Sequence, residues 1–206
     1  MKNLVLIMNS KHHLLAIFFS FIYHISMRVI AGKYRGKKLK DFDLETTKPT
    51  LDRVKESMFN LIQFDVVDAH VLDLFSGTGA LGVEALSRGA TSCVFIDVNT
   101  QAMELIKANS KDIEGEKTYL KTDYLDYLNN CCDKFDIILL DPPYMTDYGL
   151  QAIDIIVNKG ILNQGGILLF ETTDETNYEF AYYGYVCKRK KYGTVAVYKI
   201  QKVDED

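Results

Sequence analysis

Residues 135–144 read F-D-I-I-L-L-D-P-P-Y, an apolar strand that ends in an acid, two prolines and an aromatic ring. The Asp141 carboxylate and the Pro142 carbonyl are hydrogen-bond acceptors at adjacent positions, suited to the two N–H donors of one exocyclic amino group. Chemistry at an aryl amine needs that help, because the nitrogen lone pair is delocalised into the ring and must be turned toward an electrophile. Pro142 and Pro143 fix the backbone, so little conformational entropy remains to be lost on binding. Tyr144 offers a flat face on which a splayed-out base can stack, worth about 1–3 kcal/mol. The chain has only three prolines, and two stand immediately after this acid, which weighs against an ordinary strand-to-loop turn.

A second stretch, V-L-D-L-F-S-G-T-G-A-L-G over residues 71–82, runs from an apolar strand into a glycine turn and then a helix. Gly77, Gly79 and Gly82 fit G-x-G-x-x-G, a pattern that serves dinucleotides as well as methyl donors and is weak alone. Asp73 favours the methyl donor. A carboxylate there could meet the ammonium of a methionine moiety, whereas it would repel a pyrophosphate. Phe75, Ser76, Thr78 and Ala80 complete the expected lining. Asp97, at the end of the next strand, can accept from both hydroxyls of a ribose in either cofactor class. Asp123 could accept from an adenine amino group, with a helix N-cap as its plain alternative.

These groups need a frame that brings several strand ends together. Short apolar runs at His70–Phe75, Cys93–Asp97, Thr118–Lys121, Phe135–Asp141, Gly166–Glu171, Tyr183–Lys188 and Thr194–Ile200 predict strands. Helical patterns fill the intervals at Ala80–Arg88, Thr100–Ser110, Tyr124–Cys131, Tyr148–Asn158 and Asp174–Ala181. Such alternation calls for an α/β fold with a mainly parallel sheet, helices on both faces and its ligand crevice at the carboxyl ends of the strands. The short link Lys190–Gly193 predicts an antiparallel hairpin at the sheet edge. Ahead of the sheet, Pro49 and Thr50 introduce a helix from Leu51 to about Phe64, with Thr50 as N-cap. Its buried stripe is Leu51, Val54, Met58, Leu61 and Ile62, and Arg53, Lys55 and Glu56 point elsewhere.

The chain has 206 residues, 48% hydrophobic and 25% charged, with net charge −4, the balance of one globular domain with a small appendage. Any contact with nucleic acid must therefore come from a local cationic patch. Residues 27–40 supply one: Arg28, Lys33, Arg35, Lys37, Lys38 and Lys40 appear without an acid, broken by Gly32 and Gly36 into a hairpin-like arm. Lys188, Arg189, Lys190 and Lys191 form a second gathering. The four cysteines show neither metal-ligand nor disulfide spacing, so reduced thiols in a cytoplasmic protein and no metal are expected. Residues 1–26 do not match the rest of the chain in pattern. Their apolar run, Leu14–Tyr23, is about half the ~20 residues of a membrane span. A translation start at Met27 is favoured over a membrane-associated extension.

The D-P-P-Y motif after D-L-F-S-G-T-G, together with R-V-I-A-G-K-Y-R-G-K-K-L from Arg28 and T-L-D-R-V-K-E-S-M-F-N at Thr50–Asn60, resembles the RsmD-type 16S ribosomal RNA guanine-N2 methyltransferases of bacteria. The resemblance runs from about Met27 to Ile200. It implies a Rossmann-like sheet of seven strands with the last reversed, S-adenosylmethionine as donor, and methylation of one guanine N2 in small-subunit rRNA by a monomer. Asp141, Pro142, Pro143 and Tyr144 would hold the guanine. Asp73 and the turn Gly77–Ala80 would line the donor, with Arg53 and Glu56 near the cofactor or the target base. Residues 27–64 would form the arm and its helix, and 65–203 the methyltransferase domain. Other readings are an amino-methyltransferase acting on adenine N6 or a protein glutamine, a noncatalytic RNA-binding assembly factor, and a nicotinamide oxidoreductase.

Overall fold

The computed structural model describes residues 27–42, 52–175 and 177–203; the expected N-cap Thr50, Leu51 and the apolar run in residues 14–23 lie outside them. Seven strands form one sheet: β1 (His70–Asp73), β2 (Ser92–Asp97), β3 (Glu116–Lys121), β4 (Phe135–Leu140), β5 (Leu162–Thr173), β6 (Tyr185–Tyr192) and β7 (Val195–Lys202). Their order is β3-β2-β1-β4-β5-β7-β6. Strands β1 to β5 pair in parallel, and β7 runs antiparallel to both β5 and β6. Among the described residues five helices precede or join them: α1 (Asp52–Asn60), α2 (Ala80–Ser87), α3 (Thr100–Ser110), α4 (Tyr124–Asn130) and α5 (Tyr148–Asn158). The fold is the expected α/β Rossmann-like one. Among the described residues no helix is long and apolar enough to cross a membrane.

Strands buried on both faces need apolar residues throughout, and β4 and β5 meet that with I-I-L-L and I-L-L-F. One face packs Val71, Ile137, Leu139, Ile167, Leu169 and Val197 against α1, α2 and the arm. The other packs Leu72, Ile138, Leu140, Leu168 and Phe170 against α4 and α5.

Three predicted elements differ. The segment expected as a helix over Asp174–Ala181 is non-helical wherever it is described. Tyr178, Phe180 and Tyr182 recur every second residue, the period of an extended chain, and the rings of Tyr178 and Phe180 close on Phe170 and Tyr198; Phe180 meets Tyr198 edge-on at 5.2 Å. The helix expected to reach Phe64 ends at Asn60, and tighter turns follow, with Leu61 N–H donating to Met58 and Ile62 N–H to Phe59. The last hairpin is also tighter than predicted. Tyr192 pairs with Val195, so Gly193 and Thr194 alone make the turn and Lys188–Lys191 belong to the edge strand.

The arm is a hairpin, with Arg28 bridging Lys38, and it belongs to the body of the fold: Met27, Val29 and Leu39 are buried in the shared core. Glu84 on α2 fixes it. This fully buried carboxylate accepts from Ile30 N–H (2.7 Å), Ala31 N–H (3.0 Å) and Arg88 Nε (2.7 Å), and lies 3.8 Å from Lys55 Nζ. Lys55, expected to point away from the helix stripe, is in fact buried, and its ammonium donates to the Arg28 carbonyl at 2.6 Å. Burial lowers the Lys55 pKa and the Glu84 charge opposes that. At the other end of the arm, Asn109 on α3 accepts from Lys40 N–H and donates to the Lys40 and Thr78 carbonyls. Removing one partner from a buried ionic group costs about 3–5 kcal/mol. Glu84→Ala is therefore expected to lower the melting temperature by roughly 6 °C or more, and a thermal melt checks it.

Candidate active site

The chemistry-bearing residues come together because successive side chains of a strand alternate faces. On β1, Asp73 follows Val71 on one face. On β4, Asp141 continues the line Ile137, Leu139, and on β5 Glu171 continues Ile167, Leu169. Leu140 pairs with Phe170, so Asp141 and Glu171 stand side by side one position beyond that pair. Asp97, which follows Cys93 and Phe95 on β2, ends on the same face, so among the described residues four carboxyl groups occupy its carboxyl end, on the side where the arm and α2 pack.

Asp73 is 1% exposed, and its Oδ2 accepts from Gly82 N–H at 3.0 Å. Gly79 is the N-cap of α2 and has no side chain to offer, so Asp73 supplies from the neighbouring strand the acceptor that a capping residue would provide. Burial, then the charges of Asp141 and Asp97, push its carboxyl up to about 7, partly offset by the Gly82 hydrogen bond. The glycine turn needs its glycines: Gly77 and Gly79 have φ of 52° and 78°. A Cβ on Gly82 would come within 2.3 Å of the Phe95 ring, so that glycine allows α2 to lie close on β2.

The other turn residues are held as firmly. Ser76 Oγ donates to the Asp73 carbonyl and accepts from Ile96 N–H. Thr78 Oγ1 donates to Met27 Sδ at 3.2 Å, a direct tie to the arm. Asp97 accepts from Gly77 N–H at 2.9 Å and from Asn99 N–H at 2.8 Å. Asp123 is the N-cap of α4, accepting from Leu125 N–H at 2.8 Å. Phe75 lies against Tyr124 with centroids 5.0 Å apart, and Tyr124 against Tyr148 at 5.2 Å, an aromatic row along the strand ends. Ala80 packs on the core.

In the D-P-P-Y loop, Pro142 is buried while Pro143 and Tyr144 are exposed. The Tyr144 hydroxyl donates to Glu171 Oε1 at 3.0 Å, which fixes the ring while leaving it 44% exposed. Sequence reasoning missed Glu171, although it ends its strand as an acid after an apolar run, the same mark that singled out Asp73, Asp97 and Asp141. Arg53 and Glu56 are both exposed on α1. Lys55, between them in sequence, is the charged residue of that motif that is buried. No group of His, Cys, Asp and Glu among the described residues could hold a metal ion.

The residues present fit a cationic nucleoside: buried carboxylates and a glycine turn with open space beside Gly77, where an added Cβ would meet no atom within 4 Å. Fold and turn define a Rossmann-like methyltransferase, the class that draws its methyl group from S-adenosylmethionine. The family model described as "Conserved hypothetical protein 95" matches residues 27–201, and the chain belongs to this RsmD-type family. A Bacillus subtilis protein assigned as an rRNA methyltransferase, YlbH, is 36% identical over 181 residues, covering 84% of this chain and 98% of its own. Ribosomal RNA small subunit methyltransferase D of Escherichia coli K12 is 32% identical over 150 residues, 72% of this chain and 76% of its own. A solved Escherichia coli chain assigned as a methyltransferase superposes with TM-score 0.76 at 27% identity, covering 87% of this chain and 99% of that one.

A raised carboxyl pKa has a thermodynamic sign. Below about pH 4 Asp73 is neutral both folded and unfolded; between about 4 and 7 the unfolded chain releases the proton while the folded one keeps it, so stability falls as pH rises. Asp73→Asn keeps an acceptor for Gly82 and removes the penalty. In thermal melts of the cofactor-free protein, the gain of Asp73→Asn over wild type should be larger at pH 8 than at pH 5.

Proposed function

We propose that this protein transfers a methyl group from S-adenosylmethionine to the exocyclic N2 of a guanine in small-subunit ribosomal RNA. The observation that carries the reading is the placement of the D-P-P-Y loop next to the glycine turn: β1 and β4 are adjacent, so the end that meets a donor and the end that meets an amine share one crevice. Relatives named for small-subunit rRNA methylation support the substrate class. When bound, S-adenosylmethionine supplies an electrophilic methyl on a sulfonium.

The chain's own residues do the rest. Asp73 binds the ammonium of the methionine part, Asp97 the ribose hydroxyls and Asp123 the adenine amino group, each using lone pairs beyond those already given to backbone N–H. Phe75, Ser76, Gly77, Thr78, Gly79 and Ala80 shape the donor's bed. Asp141 and the Pro142 carbonyl accept from the target amino group, which turns its lone pair toward the methyl, and Pro143 and Tyr144 hold the base. Asp141→Ala should abolish turnover with cofactor binding retained. The direct test of the whole reading is labelled S-adenosylmethionine with small subunits from cells lacking the enzyme, followed by nucleoside analysis. Label in N2-methylguanosine is expected, and label elsewhere would move the substrate.

RNA is held by the arm. Arg28, Lys33 and Lys37 pair there with Asp52, Glu114 and Asp112 at exposed positions, contacts weak enough to be exchanged for phosphates. Arg35, Lys38 and Lys40 make no ion pair among the described residues. Lys188 and Lys190 extend the surface from β6, on the face shared with Tyr192 and the arm. Deleting the arm would remove core residues, so point variants are the clean test. Replacing Arg35, Lys38 and Lys40 by alanine should weaken RNA binding and reduce the slope of log affinity against log salt by about 2–3. Cofactor affinity should stay unchanged, and the loss should exceed that from alanines at Lys188–Lys191.

A further inference from the structure

Glu171 is the one carboxyl group at the site that the proposed chemistry leaves without a task. It is 1% exposed, its Oε1 accepts from Tyr144, and its Oε2 is buried with no hydrogen-bond partner among the described residues. An ionised carboxylate in that setting is costly, since a buried unpaired charge adds a desolvation penalty to its repulsion of Asp141. A structural glutamate would be expected to find a cation or further donors, as Glu84 does with four. Instead its neighbours are another acid and a phenol.

We propose that Glu171 is a positioning residue for methyl transfer: an uncharged carboxyl that seats the Tyr144 ring over the target base and leaves Asp141 as the sole negative charge of the acceptor pair. The inference rests on the proposed roles of residues 141–144.

The arrangement requires both carboxyl groups. The amino group needs a charged or strongly accepting oxygen at Asp141, because its hydrogens become more acidic as the nitrogen gains the methyl. A second charge one strand away would compete for the same hydrogens and push the loop outward. Burial, then the Asp141 charge, raises the Glu171 carboxyl to about 8, which keeps its proton on at neutral pH. Across the sheet β7 presents apolar Val197 opposite Glu171, so the titratable groups that bear on it are Asp141 and Tyr144, both from the end of β4. The Tyr144 phenol is itself raised by burial and by these two acids, so it stays a donor. Ionisation of Glu171 above about pH 8 places two charges at the strand ends and loosens the loop.

Glutamine reproduces the neutral group, with an oxygen for the Tyr144 hydroxyl and no proton to lose. Turnover at saturating cofactor should fall at least tenfold in Glu171→Ala with cofactor binding kept. Glu171→Gln should recover most of that loss at pH 7. The ratio of kcat for E171Q to wild type should rise several-fold between pH 7 and pH 9, a readout that a merely structural role would leave flat. Tyr144→Phe, which deletes the shared hydrogen bond and keeps the ring, provides a second route: its effect should be less than additive with Glu171→Ala. A wild-type rate in E171A, an E171Q protein as slow as E171A, or a flat ratio would each overturn the proposal. These outcomes with an inactive D141A leave the assignment of the loop standing, whereas a fully active D141A removes that assignment itself.

Discussion

Four carboxyl groups, Asp73, Asp97, Asp141 and Glu171, are held at the end of one sheet face and repel one another, and much of the surrounding architecture answers that repulsion. Asp73 is stabilised by the first turn of α2, whose cap is a glycine with no side chain to accept from its N–H groups. Asp97 is stabilised by the glycine turn itself. Glu171 is relieved by keeping its proton. The crevice is therefore electrostatically strained in a direction that a cation releases, which couples affinity for a sulfonium amino acid to the folding energy of the strand ends.

The middle of the same helix carries a different solution. Glu84 is also fully buried, yet it is surrounded by donors: two amides from the arm, the Arg88 guanidinium and the Lys55 ammonium. A helix of eight residues thus has beneath its first turn an acid that accepts from its N–H and is a ligand candidate, and within its body an acid used for assembly. Arg88 further stacks on the Phe59 ring at 4.8 Å, so α1, α2 and the arm close around one charged centre.

Much of this is legible in the sequence. The strands and the site loops follow from apolar runs that end in acids, a pattern dictated by where a parallel sheet exposes its carboxyl edge. Asp73, Asp97 and Asp141 stand out that way, and Glu171 carries the same mark. What the sequence hides are contacts between distant segments. Nothing in D-R-V-K-E distinguishes Lys55 from its charged neighbours until Glu84, 29 positions on, is placed beside it. The stretch after Asp174 departs from its helical expectation because Tyr178, Phe180 and Tyr182 alternate with a period of two, and the packing of Tyr178 and Phe180 on the Phe170 and Tyr198 rings outweighs local helical preference. The double role of Asp73, as helix cap and ligand candidate, is likewise invisible without the neighbouring strand's geometry.

Asn109 has a wider consequence. One amide grips the carbonyl of Thr78 in the glycine turn and both backbone groups of Lys40 in the arm. The two surfaces proposed to meet different molecules are thereby machined into a single jig, with a tolerance set by one side chain. A slip at Lys40 would be transmitted through Asn109 to the glycine turn, whereas a side-chain change at exposed Arg35, near the tip of the hairpin, leaves that alignment alone. Changes of charge on the arm are thus cheap at Arg35 near its tip and constrained at its root.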